Sequence, residues 1–77
     1  MKIVAFDFSK LRGKIKEVFG TQEKFAKAMG MSGVTLSAKL NNMVDFTMSE
    51  INKACELLSI PTEFIPIYFF TKKVKSS

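Results

Sequence analysis

The 77-residue chain lacks several side chains on which enzymes and metal sites depend. It has no histidine, no tryptophan and one cysteine, Cys55. Without histidine there is no imidazole base and no Cys–His nucleophile, and a single thiol forms neither an internal disulfide nor a zinc site. The acidic residues are scattered rather than paired, and no GxxxxGK[ST] or GxGxxG phosphate loop occurs. We therefore expect no enzymatic activity, no metal and no cofactor, and a core position for Cys55.

Long hydrophobic runs and acidic residues are also scarce. No stretch approaches the roughly 20 apolar residues that span a bilayer, and the apolar part of MKIVAFDFSK is too short for a signal peptide. We expect no membrane partner. Seven Asp and Glu stand against twelve Lys and Arg, which gives a net charge of +5. This balance suits a polyanionic partner, although it also serves solubility in small basic proteins.

The residues that are present have the balance of a small globular protein. Hydrophobic residues make up 47% of the chain and charged residues 25%. A chain of this length forms one domain, close to the lower limit at which a single core is self-sufficient. The sequence therefore predicts one domain over residues 1–77, with a helix pair at about residues 21–41 and a flexible basic tail over residues 71–77.

Apolar spacing and capping residues predict a mainly α fold of four helices and a fifth helical turn. The first helix is expected to have Asp7 or Ser9 as its N-cap and Gly20 as its C-terminal stop. The fourth begins at Thr47, where the pattern T-x-x-E with Glu50 is a capping box. Four basic residues of the first helix are interpreted as a solvated face, namely Lys10, Arg12, Lys14 and Lys16.

The C-terminal part combines two prolines with an aromatic cluster. The stretch SIPTEFIP predicts a short helical turn that begins near Pro61 and ends at Pro66. Tyr68, Phe69 and Phe70 allow two interpretations: they close the core, or they form a dimer contact. In the second case the tail forms a small β-strand pair with KIVAF, within one chain or across a dimer.

The stretch TQEKFAKAMGMSGVTLSAKLNN predicts two short helices joined by a sharp turn. Thr21 caps the first of them, and Gly30 ends it because glycine takes positive φ without a Cβ penalty. Ser32 caps the next helix, which Asn42 closes in a left-handed conformation. Ala26 is small enough for a close helix crossing. Two short helices joined in this way are typical of a helix-turn-helix, although other helical hairpins share a turn glycine and a small crossing residue.

The helix that follows Ser32 has an inner and an outer side. At about 100° per residue, Leu36 and Leu40 lie together and face inward. The outer side carries Val34, Ser37, Ala38 and Asn41, all short and none acidic. Such a surface can lie flat in a major groove, where apolar side chains contact thymine methyl groups. A helix that only faces solvent would more often carry Glu and Lys there.

On these residues, the stretch 22–41 resembles the helix-turn-helix of the phage repressor and Cro family. The matching features are Gln22, Ala26, the turn Gly30-Met31-Ser32, Leu36 and Asn41. The wider pattern FDFSKLRGKI, FGTQEKFAKAMGMS, TLSAKLNN, ACELLSIP and YFF is similar to short Cro-like regulators encoded by phages of Gram-positive bacteria, and it covers nearly the whole chain. The resemblance implies a lambda-repressor-like fold and a cytoplasmic, nucleoid-associated protein of the bacterial host.

The resemblance also implies roles for single residues. Gln22 would bind a phosphate and brace the recognition helix, and Asn41 would hold the backbone across the groove. The positions that match base-reading residues are Gly33, Val34, Ser37 and Ala38. Further residues are predicted to contact DNA phosphates because they lie near the groove or because a helix start offers free N–H groups. The full set of predicted phosphate contacts is Thr21, Gln22, Lys24, Lys39, Asn41 and Asn42.

Two positions depart from the family pattern. Where the family often has Gln, Arg or Ser, Gly33 has no side chain and Val34 cannot form a hydrogen bond. Each missing bidentate contact forgoes about 1–3 kcal/mol of discrimination between bases. We expect specificity to rely on methyl contacts, on DNA shape, or on residues outside this helix face such as Lys39 or Asn42.

The leading hypothesis is a sequence-specific transcriptional regulator of phage origin. It would bind double-stranded operator DNA as a homodimer and occlude a promoter. The sequence leaves open whether it represses or activates, and whether it is of the Cro type or a lysogeny repressor. The alternative is a helix-turn-helix fold that binds a protein, such as an antirepressor or an antitoxin-like module. The charge of +5 favours DNA over this alternative.

Overall fold

The computed structural model describes residues 5–72, which form a mainly helical fold. Five α-helices and one 3-10 turn follow one another in this part of the chain: α1 Ser9–Phe19, α2 Gln22–Met29, α3 Gly33–Leu40, α4 Met48–Leu58, the 3-10 turn Thr62–Phe64 and α5 Ile65–Phe69. The predicted mainly α class is confirmed. Each helix of residues 5–72 is too short or too polar to cross a bilayer.

The helix starts have local causes. At α1 the N-cap residue is Phe8 and not the predicted Asp7 or Ser9, although the Asp7 carboxylate accepts the Ser9 N–H at 2.9 Å. At the start of α2, Thr21 Oγ1 accepts the Lys24 N–H. At α4 the predicted capping box is present, because the Thr47 hydroxyl accepts the Glu50 N–H and the Glu50 carboxylate accepts the Thr47 N–H. A capping side chain satisfies helix N–H groups that have no partner inside the helix.

The helix ends rely on left-handed residues. Gly20 ends α1 with φ of +86°, and Gly30 ends α2 with φ of +80°. Asn42, the second residue after α3, has φ of +64° as the sequence predicted, and Ser59 ends α4 with φ of +56°. Residues in this conformation turn the chain sharply, so that α2 and α3 are separated only by residues 30–32.

One prediction for the C-terminal part is wrong, and another is not seen in residues 5–72. Pro66 lies in the first turn of α5 and does not end a helix. A proline is accommodated there because the first N–H groups of a helix need no partner within it. The predicted terminal strand pair is also not seen: residues 5–72 contain only an isolated antiparallel bridge between Phe6 and Lys72. Residues 2–4 of KIVAF and residues 73–77 of the basic tail lie outside the described residues.

The core lies where the five helices meet. α1 packs against α2, α4 and α5, and α2 packs against α3 and α4. The largest fully buried side chains are Phe25, Phe69, Leu11, Ile15, Leu36 and Leu58. Ala26 is buried as expected for a close crossing. Cys55 is buried as well, which confirms its core position, and burial raises the pKa of its thiol.

Candidate functional site

A Schellman turn sets the position of α3 relative to α2. The Gly30 N–H donates to the Lys27 carbonyl at 3.0 Å, and the Met31 N–H donates to the Ala26 carbonyl at 2.9 Å. This paired arrangement satisfies the last carbonyls of α2 and reverses the chain at Gly30. Ser32 then starts α3, with its hydroxyl accepting the Thr35 N–H at 3.1 Å.

The outer side of α3 forms a shallow concave surface, which we call the α3 face. It is lined by residues of α2, α3 and the turn after α3, namely Gln22, Glu23, Gly33, Val34, Ser37, Ala38, Asn41 and Met43. Val34 is 82% exposed and Met43 is 78% exposed, whereas Gly33, Ser37 and Ala38 are half-buried. The four residues predicted to read bases therefore lie together on one open surface.

The polar side chains at the C-terminal end of the α3 face are bonded to one another. Asn41 Nδ2 donates to Ser37 Oγ at 3.3 Å. Arg12 Nη2 donates to Asn41 Oδ1 at 3.1 Å and to the Leu40 carbonyl at 3.2 Å. Arg12 comes from α1, where the sequence placed it on a solvated face. Its contact with α3 was missed because the spacing of basic residues does not show which neighbouring helix a side chain reaches.

The N-terminal end of the α3 face carries an acidic residue, Glu23, which was not among the predicted site residues. A Cβ atom on Gly33 would lie 3.6 Å from Glu23 Cγ. The outer side of α3 itself is free of acidic residues, but α2 adds Glu23 beside it. Lys24 and Lys27 are exposed and, together with Glu23, line an adjoining groove at the start of α3. Opposite charges are thus interspersed at this end.

The position of Lys39 contradicts its predicted contact with a DNA phosphate. Its side chain is buried, with a residue exposure of 5%. Lys39 Nζ lies 3.0 Å from Glu50 Oε1 and donates to the Asp45 carbonyl at 3.0 Å. An ammonium group enclosed by a carboxylate and a carbonyl is not free to bind a phosphate, so this prediction is wrong for the described conformation.

The hydrogen bonds of Asn42 contradict a second predicted phosphate contact. Its Nδ2 donates to the Phe6 carbonyl at 2.9 Å, and its Oδ1 accepts the Phe6 N–H at 2.9 Å. The side-chain amide thus pairs with Phe6 as a neighbouring strand would. On the other edge of this segment, the Asp7 N–H donates to the Thr71 carbonyl at 2.7 Å. Asn42 therefore connects the N-terminal segment to the end of α3 and does not point to the outer face.

The aromatic residues proposed as a dimer contact divide into two groups. Phe69 is 2% exposed and packs edge-on against Phe46, with ring centroids 5.3 Å apart. Its role as a dimer contact is wrong because the side chain closes the core. Tyr68 is also packed against the core. Phe70 keeps 46% exposure and contacts Phe6. It borders a mostly apolar pocket of about 290 Å³, which Val44 also lines.

The remaining predicted site residues stand at the edge of the α3 face or beside it. Gln22 is half-buried, whereas Thr21 and Lys24 are exposed. Residues 5–72 contain no group of three or more His, Cys, Asp or Glu placed to hold a metal ion.

Comparison with known proteins assigns the chain to a family. A family described as a protein of unknown function, DUF739, matches residues 4–72. The chain belongs to the DUF739 family. This DUF739 protein is similar in fold to the modulator of repression of the temperate bacteriophage TP901-1 from Lactococcus lactis. The similarity has a TM-score of 0.77 and 48% identity, and it covers 91% of this chain and 95% of the other.

A search of curated protein sequences gave no match to this DUF739 chain. The expected kinship with phage regulators is confirmed by the similarity to the TP901-1 protein. The finer assignment to the Cro or repressor type stays a prediction.

Proposed function

We propose that this DUF739 protein is a phage-type regulator of transcription that binds operator DNA with α2 and α3 acting as a helix-turn-helix. One observation carries the proposal: the α3 face is open and the residues that α3 itself contributes to it are small, so the helix backbone can approach base edges closely. In support, the TP901-1 relative is a modulator of repression. The proposed action is non-enzymatic and involves the whole chain as one domain.

In this proposal the two ends of the α3 face contact the DNA backbone. Gln22 and the N–H groups that follow Thr21 offer hydrogen bonds to a phosphate at the start of α2. Lys24 and Lys27 add positive charge near the same end. At the other end, Asn41 is held by Arg12, whose guanidinium carries five N–H donors and uses one nitrogen for its internal bonds. The bases between these ends face Gly33, Val34, Ser37 and Ala38.

Operators read by helix-turn-helix proteins are commonly palindromic, with half-sites about one helical turn apart. We therefore propose that two copies bind one operator. Of the predicted dimer residues, Phe70 is the one with a large exposed apolar surface, so the contact between copies is assigned to Phe70 and the apolar pocket beside it.

Selection of bound duplexes from a random pool, followed by anisotropy measurements over a range of salt concentrations, tests the proposal. Lys24→Ala and Lys53→Ala each remove one positive charge from an exposed helix position, but only Lys24 lies beside the α3 face. We expect Lys24→Ala to lower the slope of log affinity against log salt by about one, and Lys53→Ala to leave it nearly unchanged. Gln22→Ala and Val34→Arg should also weaken binding. Equal effects of the two lysine variants, or salt-independent affinity, would refute the proposal.

A second candidate function is supported by the chemistry of the same surface. Val34 and Met43 are exposed apolar residues, with Glu23 and Gln22 at their margin. An apolar centre with a polar rim is the anatomy of a protein–protein interface. In this version the chain modulates repression by binding a repressor protein, as an antirepressor would. Size-exclusion chromatography with a purified phage repressor, in the absence of DNA, tests it. A stoichiometric complex that Val34→Arg abolishes would favour this candidate.

A further inference from the structure

Four residues of the α3 face have no polar side-chain group, namely Gly33, Val34, Ala38 and Met43, with Ser37 among them on α3; we call these four the apolar centre. Val34 and Met43 are its most exposed side chains, Ala38 lies half-buried on α3, and Gly33 adds no side chain. Met43 reaches this surface because the turn after α3 is tight: the Met43 N–H donates to the Ala38 carbonyl at 2.9 Å. The apolar surface of α3 is thereby extended past the last turn of the helix, to a residue that the helical spacing did not include.

Ser37 and Asn41, the polar residues beside this centre on α3 and at its C-terminal end, form internal hydrogen bonds. The Ser37 hydroxyl accepts from Asn41, and Asn41 Oδ1 accepts from Arg12. Lys39 and Asn42, which the sequence offered as polar readers outside the helix face, form internal bonds instead. These internal bonds occupy the Ser37 oxygen and the Asn41 oxygen, so fewer side-chain groups of α3 and its C-terminal end are left for hydrogen bonds to base edges.

We propose that the α3 face recognises DNA through the C5 methyl groups of thymine. Val34 is the principal contact, with Ala38 beside it and Met43 at the C-terminal end. Among the base edges of the major groove, thymine alone offers a methyl group, and apolar side chains are its natural partners. This inference rests on the proposed operator binding, and it identifies the ligand class as duplex DNA with thymines at the contacted positions.

Charge identifies DNA as the occupant of this apolar surface. Lys24 and Lys27 lie exposed at one end of the α3 face, and Arg12 lies at the other. A phosphate backbone flanks the major groove on both sides, so basic groups at both ends complement it. The net charge of +5 acts in the same direction. Glu23 opposes this attraction at one end only.

The test removes methyl groups without changing base pairing. A duplex selected by the protein is prepared with deoxyuridine in place of thymidine in one half-site, and its affinity is compared with the parent by anisotropy at one salt concentration. Each contacted methyl should contribute about fourfold to the affinity, the factor expected for burial of one methyl-sized group. Replacement by 5-bromodeoxyuridine, whose bromine is close to a methyl group in size, should restore binding.

Two valines provide a matched pair of variants. Val34 and Val18 are both substantially exposed, but Val18 lies on α1, outside the α3 face. We expect Val34→Ala to reduce the penalty for uracil and Val18→Ala to leave it intact. Met43→Ala should reduce the penalty at the thymine nearest the C-terminal end of α3. Because neither valine is in the core, both variants should fold, and circular dichroism checks this.

The outcomes separate the inference from the proposed function. Salt-dependent DNA binding that is equally strong with thymine and with uracil would overturn methyl recognition and leave operator binding in place. A complete lack of duplex binding would overturn both. If a repressor protein is then bound in a manner that Val34→Ala weakens, the apolar centre belongs to a protein interface.

Discussion

The ammonium group of Lys39 connects α3 to α4. It pairs with Glu50 in the first turn of α4, bonds the Asp45 carbonyl in the intervening loop, and lies 6.0 Å from the centre of the Phe46 ring. Glu50 also accepts the Thr47 N–H in the capping box. Burial raises the pKa of Glu50, but the Thr47 N–H and the Lys39 ammonium outweigh it, so that the net pKa lies below its ordinary value.

A pH dependence of stability follows from this lowered pKa. A carboxyl whose pKa is lower in the folded state stabilises the fold above its unfolded pKa, about 4.3 for Glu, and this contribution is lost as pH falls through the folded value. We expect Glu50→Gln to lower the free energy of unfolding by about 1–3 kcal/mol near neutral pH. Below about pH 4 the difference from the parent should shrink.

Urea denaturation at about pH 7 and about pH 3 measures this difference. Glu56→Gln is the control, because Glu56 is exposed on the same helix and is expected to change stability little at either pH. A Glu50→Gln penalty that is the same at both pH values would contradict the assigned role of the ion pair.

At the scale of single elements, the connection between α2 and α3 depends on one backbone conformation. No atom outside its immediate chain neighbours lies within 4 Å of the position that a Cβ atom would take on Gly30, so its φ of +80° is the reason for glycine there. Gly13 differs: it is an exposed position inside α1 with equal space around it and no positive φ.

Alanine should therefore have opposite effects at these two glycines. Gly30→Ala must force an L-residue into the left-handed region and should destabilise the fold by about 1–2 kcal/mol. Gly13→Ala should stabilise it by about 0.5–1 kcal/mol, because glycine in a helix loses more conformational entropy on folding. Midpoints of urea unfolding compare the two variants with the parent. A stabilising Gly30→Ala would show that the turn does not need positive φ.

At the scale of the whole molecule, the neighbouring residues Phe69 and Phe70 have different environments. Phe69 is enclosed by the core, whereas Phe70 contacts Phe6 and remains about half exposed. Phe69→Ala should cost about 3–5 kcal/mol, a large part of the stability of a domain of this size. Phe70→Ser should cost less in folding but should reduce association of two copies. Thermal unfolding and sedimentation velocity separate these effects.

The dimer proposal has a clear test in the Phe70 variant. If the parent is dimeric and Phe70→Ser is equally dimeric at the same protein concentration, the contact between copies lies elsewhere. If the parent is monomeric without DNA, the same two proteins are compared for their stoichiometry on a selected operator duplex. Equal stoichiometry of two copies per duplex would then exclude a role for Phe70.

Helix bounds, caps and turns could be predicted from the sequence because they depend on residues within one turn of each other. Thr47 with Glu50, Ser32 before α3, and the glycine at position 30 act through neighbouring backbone groups. The outer position of Val34 on α3 followed from helical periodicity alone. These local rules predicted the open surface between α2 and α3. They failed at Pro66, which suits the start of a helix as well as the region after its end, and at the N-cap of α1, which is Phe8.

Tertiary structure alone decided which polar side chains remain available to a partner. Lys39 turns inward to Glu50, Asn42 binds Phe6, and Arg12 reaches the end of α3. Such contacts join residues 11 to 36 positions apart, and their existence depends on how the helices pack. Periodicity assigns a residue to one side of its own helix, but it contains no information about the neighbour that this side meets. The sequence by itself therefore determined the helices and the exposed surface of α3, whereas helix packing determined its chemistry.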